Sequence, residues 1–221
     1  NADRAGTGEV AGSAQGEHAR QHARRPDKII GPRQAREFKI ADADWGGTNG
    51  GATNCGAGAG SEVVTIGQPY AMTCAPNPPN LKVTFPSSGN YLFAVNATNP
   101  AALQLTVEKL PVDVDVFVRG IGGDWTDGAA NRMSYLGSGI YALNKSVAAA
   151  ANEFKIASSD WATVNCGAGT AGDTVTVGTP LAVACGEGTG NLKLTPANAG
   201  TYTFQYKRIT AAAGEVAVSG P

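Results

Sequence analysis

The chain has 221 residues, enough for one large or two small domains, and a formal net charge of −1 with 16% charged residues. A charge this close to zero argues against a polyanion-binding surface over the whole protein, so no nucleic-acid partner is predicted. No apolar run approaches the roughly 18 residues of a transmembrane helix, so no membrane span is expected. The 30 glycines favour short strands joined by turns over helices.

Residues 1–36 differ in composition from the rest of the chain. They hold six of the nine arginines and both histidines, but no aromatic residue and no leucine. We interpret them as an irregular or disordered Arg/Ala/Gly-rich segment or, alternatively, as a frameshifted translation of the first module's opening strands. Either interpretation leaves the module that follows without its beginning.

An internal repeat organises the remainder. EFKIADADW, from Glu37 to Trp45, recurs 116 positions later as EFKIASSDW, from Glu153 to Trp161. NCGAG at Asn54 recurs at an offset of 111, and the later landmarks keep that offset. So many matches in one register predict two copies of one module.

The repeat sets the predicted domain boundaries. The first module covers 37–109, the second covers 112–207, and 208–221 is predicted to be a tail. Leu110-Pro111 is the predicted joint between the modules. Leu81–Phe85 and Leu192–Thr195 alternate apolar and polar residues and are predicted strands. Tyr91–Val95 and Tyr202–Tyr206, which follow Gly-containing turns, are also predicted strands, and Leu103–Val107 and Val114–Arg119 are further candidates.

Short alternating strands with turn signals every 8 to 12 residues or so are typical of β-sandwiches. The predicted fold is therefore all-β, with two tandem Ig-like antiparallel β-sandwich modules of which the first is incomplete. The Ala-rich run from Ser146 to Asn152 is too short to predict a helix, so we interpret it as the turn before the EFKI strand.

The four cysteines fall into two pairs with the same spacing of 19 positions, Cys55 with Cys74 and Cys166 with Cys185. The repeat selects this connectivity among the three that four cysteines allow. A metal site is the alternative, but the chain has no C-x-x-C pair and no histidine near the cysteines. We predict structural disulfides, no metal and no cofactor, and hence a secreted, cell-surface or periplasmic protein.

Three tryptophans, Trp45, Trp125 and Trp161, each follow an aspartate in polar, loop-like surroundings. An indole in a loop offers a flat apolar face, and the C–H groups of a sugar ring pack on such a face. The alternative is that these tryptophans plug the open end of each sandwich.

The second module contains, in order, VFVRGIGGDW, EFKIASSDW and NLKL. This order resembles the starch- and glycogen-binding β-sandwich modules of bacterial pullulanases and α-amylases, and is similar to the tandem modules of SusE/SusF-type starch-binding proteins. The resemblance implies a non-catalytic module that binds α-glucan, carried by or partnered with a secreted amylolytic enzyme. It covers residues 112–207 well and 37–109 in part.

The resemblance also implies the binding residues. The tryptophan platform is expected from Trp125 and Trp161, with polar contacts to sugar hydroxyls from Lys155 and Asn191. The first module matches the family's pattern at Lys39, Trp45 and Asn80, but has no counterpart of Trp125. The alternative roles are solvent-facing strand positions for the two lysines and a turn residue for Asn191.

Two other classes of function compete with α-glucan binding. A structural or adhesive Ig-like surface module would use the same tryptophans for packing, since sandwiches host many functions. A hydrolase is disfavoured because the acidic residues are neither clustered nor repeated. Open, mutually angled indole faces would favour sugar binding, whereas buried indoles would favour the structural module.

Overall fold

The computed structural model describes residues 35–42, 54–58 and 60–221, together with the backbone of Gln21–His22. These residues divide into two compact units between Leu110 and Pro111. The described residues form strands and two single-turn 3₁₀ helices, Ile121–Gly123 and Ala129–Asn131, which confirms the all-β prediction. None of their helices has the length and apolarity needed to cross a bilayer.

The first unit builds short sheets around one core. Its strands are β1 (Gln21–His22), β2 (Ala35–Phe38), β3 (Ile40–Ala41), β4 (Asn54–Gly56), β5 (Val63–Val64), β6 (Tyr70–Ala71), β7 (Thr73–Cys74), β8 (Leu81–Thr84), β9 (Tyr91–Asn96) and β10 (Gln104–Lys109). The sheet orders are β1–β9–β10–β6, β2–β8–β5 and β3–β4–β7. Alternate residues of β8 and β10, including Leu81, Val83, Leu105 and Val107, are buried in the core.

The second unit forms one long, curled sheet. Its strands are β11 (Val116–Arg119), β12 (Ser134–Gly137), β13 (Ile140–Val147), β14 (Asn152–Ser158), β15 (Asn165–Gly167), β16 (Leu181–Cys185), β17 (Leu192–Leu194), β18 (Gly200–Arg208) and β19 (Ala213–Ser219). The order is β11–β14–β15–β16–β19–β18–β13–β12, with β17 paired to β14. A bridge between Phe117 and Arg132 brings the first strand to the start of the last, so the sheet nearly closes.

The pairings of the described strands are antiparallel, as predicted, except at one position in each unit. β5 pairs with β8 in parallel, with Val63 opposite Lys82. The matching position of the second unit, Thr174 opposite Lys193, is also a parallel bridge. A salt bridge accompanies each pair, Lys82 with Glu62 at 2.6 Å and Lys193 with Asp173 at 2.7 Å. The Ig-like tandem arrangement remains a prediction.

The assignment of 208–221 as a tail is corrected by the structure. Strand β19 lies between β16 and β18 and pairs with both. It is the counterpart of β10 at the offset of 111, because Gly67 N donates to Val107 O and Gly178 N donates to Val218 O, each at 2.8 Å. Val216 and Val218 are fully buried. The strand therefore belongs to the fold of the second unit.

The two units repeat the same core contacts. The rings of Phe38 and Phe93 meet edge to face with centroids 5.2 Å apart, and those of Phe154 and Phe204 do so at 5.4 Å. The hydroxyl of Tyr202 donates to the Asn198 carbonyl at 2.8 Å, and a matching bond forms in the first unit. The sequence repeat is therefore also a repeat of side-chain geometry.

The units differ in how well one strand is covered. On β18 of the second unit, Tyr202, Phe204 and Tyr206 are all buried. The corresponding side chains of β9 are only half-buried. In the second unit β18 is covered by the eight-residue β13, whereas the described residues of the first unit supply only the two-residue β1 at that place. We interpret residues 1–36 from the sequence as an irregular or frameshifted segment. Most of them lie outside the described residues.

The disulfides follow the predicted pairing, Cys55 with Cys74 and Cys166 with Cys185. Each joins two strands at directly opposed positions, β4 with β7 and β15 with β16. Cys55 and Cys166 are fully buried. Both bonds therefore tie adjacent strands together next to the core.

Candidate functional site

The site lies on one face of β11 and β14, near the first edge of the second unit's sheet. In β14, Phe154 and Ile156 point into the core, so Glu153 and Lys155 point to the opposite face. Arg119, at the end of β11, lies directly opposite Lys155 in the antiparallel register. The loops that follow these two strands carry the two tryptophans.

Trp125 and Trp161 are brought together by the fold although 36 positions separate them. Their ring centroids are 6.3 Å apart and the ring planes are inclined by 35°. Both side chains are half-buried. The arrangement is a tilted pair of indoles, intermediate between the open platform and the buried plug considered from the sequence.

Arg119 connects the two tryptophan loops. Its Nε donates to the Trp125 carbonyl at 2.7 Å, and its Nη1 donates to the Ser158 carbonyl at 3.1 Å. Its Cζ lies 4.0 Å from the centroid of the Trp161 ring, which is a cation–π contact. The residue is only 8% exposed.

Glycine is required beside Arg119 for a steric reason. Gly120 has φ of +114°, and a Cβ built there would lie 2.7 Å from the Trp125 ring and 2.4 Å from the Glu153 carbonyl oxygen. The edge of the Trp125 indole therefore rests directly on the backbone. The Arg-Gly pair of VFVRG thus supports both tryptophans.

Asp124 holds the Trp125 loop. Its Oδ1 accepts bonds from Thr126 N at 3.1 Å and Thr126 Oγ1 at 2.7 Å, and its Oδ2 accepts from Asn131 Nδ2 at 2.8 Å. Lys145 in turn donates to Asn131 Oδ1. These bonds, with the Thr126 hydroxyl first, lower the pKa of Asp124 from 3.8 to about 2.

Asp160 does the same for the Trp161 loop. It accepts bonds from Ala162 N and Thr163 N, each at 3.1 Å, from Thr163 Oγ1 at 2.7 Å, and from the Ser158 hydroxyl. The Ser158 hydroxyl bond is the main cause of a strongly lowered pKa at Asp160. Asp124 and Asp160, which precede Trp125 and Trp161, are therefore loop clamps.

These clamps predict acid sensitivity in a defined direction. A carboxylate whose folded pKa is lowered stabilises the fold above its ordinary pKa and loses that contribution as pH falls through the folded value. We expect the near-UV circular dichroism of the tryptophans to stay constant from about pH 8 to about pH 4 and to change between about pH 4 and pH 2. Asp124→Asn should reduce the amplitude of that change. A transition centred above about pH 5 would contradict the assignment of these groups.

Lys155 lies beside Arg119 with its alkyl chain covered. The residue is 8% exposed, and its Cε would lie 2.9 Å from a Cβ at Gly167. Burial lowers the pKa of its amine. Among the described residues the amine has no hydrogen-bond acceptor or ion-pair partner. A cation so placed is available to donate to a ligand.

Asn191 lies just before β17, next to β14. Its Nδ2 donates to Glu153 Oε2 at 2.9 Å. That bond places the amide on the same face as Lys155 and leaves its carbonyl oxygen for other contacts. The structure therefore brings Trp125 and Trp161 into contact, and places Lys155 and Asn191 on the adjoining strands of the same face.

The first unit repeats the polar part of this arrangement. Asn80 Nδ2 donates to Glu37 Oε2 at 3.1 Å, as Asn191 does to Glu153, whereas Lys39 Nζ donates to Asn77 Oδ1 at 3.3 Å. These residues and Pro78 and Pro79 line a groove of about 370 Å³. Trp45 lies outside the described residues.

No group of His, Cys, Asp and Glu side chains in the described part of the chain is arranged to hold a metal ion.

No family model matches the chain, and no curated protein matches it. A solved structure similar to part of the chain is the ligand-induced structure of AmyP-SBD. It is 21% identical, and the match covers 50% of this chain and 75% of that chain, with a TM-score of 0.40. A likeness this weak leaves the function to be argued from the site itself.

Three residues of the site are absent from the sequence-based candidates: Arg119, Asp124 and Asp160. A signal existed for each. Arg119 is the single charge in the otherwise apolar strand VFVR, and each aspartate directly precedes its tryptophan. What the sequence does not show is that Arg119 reaches both loops.

Proposed function

We propose that the second unit binds α-glucan without catalysing a reaction, through Trp125 and Trp161 together with Lys155 and Asn191. The observation that carries this proposal is the pair of tilted, half-buried indoles, with ring centroids 6.3 Å apart, fixed by clamped loops. Two inclined apolar faces match the curvature of an α-linked chain better than they match a flat ribbon.

The backbone at Trp161 favours binding over a structural plug. Trp161 has φ of +55°, in the left-handed region that non-glycine residues rarely adopt. Such a conformation costs roughly 1–3 kcal/mol and is typical of functional sites. A tryptophan that only filled space would have no need of it, because packing residues on β14 achieve full burial with ordinary strand geometry.

The polar groups suit a neutral ligand. Arg119 and Lys155 lie on the same face as Glu153, and Asp124 and Asp160 clamp the adjoining loops, so the site has no strong excess of one sign. Lysine donates and the Asn191 amide both donates and accepts, which is the combination that sugar hydroxyls require. Binding on the accessible faces of two half-buried rings covers little of the ligand, so we expect weak affinity per site.

The proposed setting is a secreted or surface protein that acts with an amylolytic enzyme, either as a separate chain or as linked modules. The two disulfides favour an oxidising compartment. If the first unit also binds, through Lys39, Trp45 and Asn80, linkage would raise the avidity for insoluble starch.

Affinity electrophoresis tests the proposal. Wild-type protein should be retarded in gels that contain soluble starch but not in gels that contain a soluble β-glucan. Trp161→Ala should weaken retardation by about tenfold or more, because it removes one of the two faces. Arg132→Lys, on an exposed arginine with no proposed binding role, is the control and should keep the retardation. If the folded wild-type protein runs unretarded in starch, the structural or adhesive function replaces this one.

A further inference from the structure

We infer that Arg119 is a positioning residue that sets the angle between the two indoles, and that it thereby makes the site select a curved α-linked chain over a flat β-linked one. This inference rests on the proposed function. Arg119 contacts each tryptophan-bearing loop directly, whereas the two aspartate clamps each act within one loop.

The guanidinium fixes one loop by a bond and the other by both a bond and a stack. Its Nε holds the carbonyl of Trp125 itself. Its Nη1 holds the Ser158 carbonyl, which also accepts the backbone N–H of Trp161 at 3.2 Å. The same planar group then lies 4.0 Å from the Trp161 ring centroid. Movement of the Trp161 indole would break the stack, and movement of the Trp125 backbone would break the Nε bond. The Trp125 ring itself rests on the backbone at Gly120, next to Arg119.

Arginine is the side chain that fits this task. A guanidinium has five N–H donors in a rigid plane and stacks on aromatic rings, whereas a lysine ammonium is a compact, strongly hydrated point charge. With 8% of the residue exposed, the contacts form largely away from water, where they are stronger. Arg119 also contributes to the lowered pKa of Asp127, after the larger effect of the Ser159 hydroxyl.

The stack has a consequence for the ligand. One face of the Trp161 ring is covered by Arg119, so a sugar can pack only on the other face. Since the Trp125 ring is inclined by 35° to it, a chain must bend to contact both. Without Arg119 the angle between the two rings would vary, and the preference for a curved α-linked chain over a flat β-linked one would decrease.

The test measures the angle and the binding separately. Two indoles at this distance should give an exciton couplet in circular dichroism, and its amplitude depends on their relative orientation. Arg119→Lys keeps the charge but loses the planar stack. We expect it to lose at least half of the couplet and to bind maltoheptaose at least about tenfold more weakly, with a smaller preference over cellohexaose. Arg132→Lys, on an arginine half-exposed to solvent, is the control and should change neither.

A second variant guards against a folding defect. Arg119→Gln keeps one donor nitrogen but drops the charge and the guanidinium stack. Far-UV circular dichroism reports whether either variant is folded. If a folded variant keeps the couplet and the α-over-β preference, Arg119 does not set the angle. If the wild type binds no glucan but Arg119→Lys still loses the couplet, the proposed function fails while the positioning role stands.

Discussion

Replacing Phe154 by Ala is expected to lower the free energy of unfolding of the second unit by about 3–5 kcal/mol. Phe154 is completely buried, with a relative exposure of 0%. Its ring packs edge to face on Phe204, which is equally buried. The substitution leaves a cavity that the surrounding strands cannot fill, because β14 is fixed by β11, β15 and β17.

The internal repeat supplies a matched control. Phe38 is the counterpart of Phe154 and packs on Phe93 in the same geometry, but both rings are only half-buried. Phe38→Ala should therefore destabilise the first unit by clearly less than Phe154→Ala destabilises the second. Calorimetry of the full chain measures both effects, because each unit should give its own unfolding transition. If Phe38→Ala and Phe154→Ala lower the free energy of unfolding of their units equally, the difference in core burial described for β9 and β18 is contradicted.

Deletion of residues 208–221 is expected to abolish cooperative folding of the second unit. The deletion removes β19, whose backbone bonds satisfy β16 on one side and β18 on the other. It also exposes the apolar surface against which Val216 and Val218 are buried. A sheet that nearly closes would be left with two new unpaired edges in its middle.

The control for this deletion is a chain that ends at Ser219, since it keeps the whole of β19. Proteolysis and near-UV circular dichroism should show the control folded and the longer deletion unfolded in its second unit. The first unit, which ends its own fold with β10, should stay protected in both. A second unit that remains protease-resistant without residues 208–221 would mean that β19 is dispensable.

Most of the strands could be predicted because their patterns are local. Leu81–Thr84 and Leu192–Leu194 alternate apolar and polar residues, Tyr91–Asn96 is an apolar run after a glycine-containing turn, and the structure places strands at all three. The disulfide pairing was predictable for a different reason, namely that the repeat removes the ambiguity. β19 was missed because GEVAVS shares the alternation of its counterpart but almost none of its letters.

The sequence could suggest residue types for the candidate site, but not the contacts that hold them in place. Tryptophan after aspartate in a polar loop is visible in the sequence. The contact of Arg119 with a carbonyl 39 positions away depends on the register of β11 against β14, which no local pattern specifies. The left-handed backbone of Trp161 is likewise invisible, because a tryptophan is among the residues least expected there.

The aspartate clamps have a consequence for how such a protein can diverge. Every bond that Asp124 and Asp160 make reaches no further than seven positions along the chain. Each loop is thus shaped by a short stretch of sequence, while the strands beneath are held by their own pairing. After a duplication, a few neighbouring substitutions would be enough to silence or retune one copy while its scaffold persisted. A protein with two such modules can therefore keep one functional site while the other accumulates substitutions.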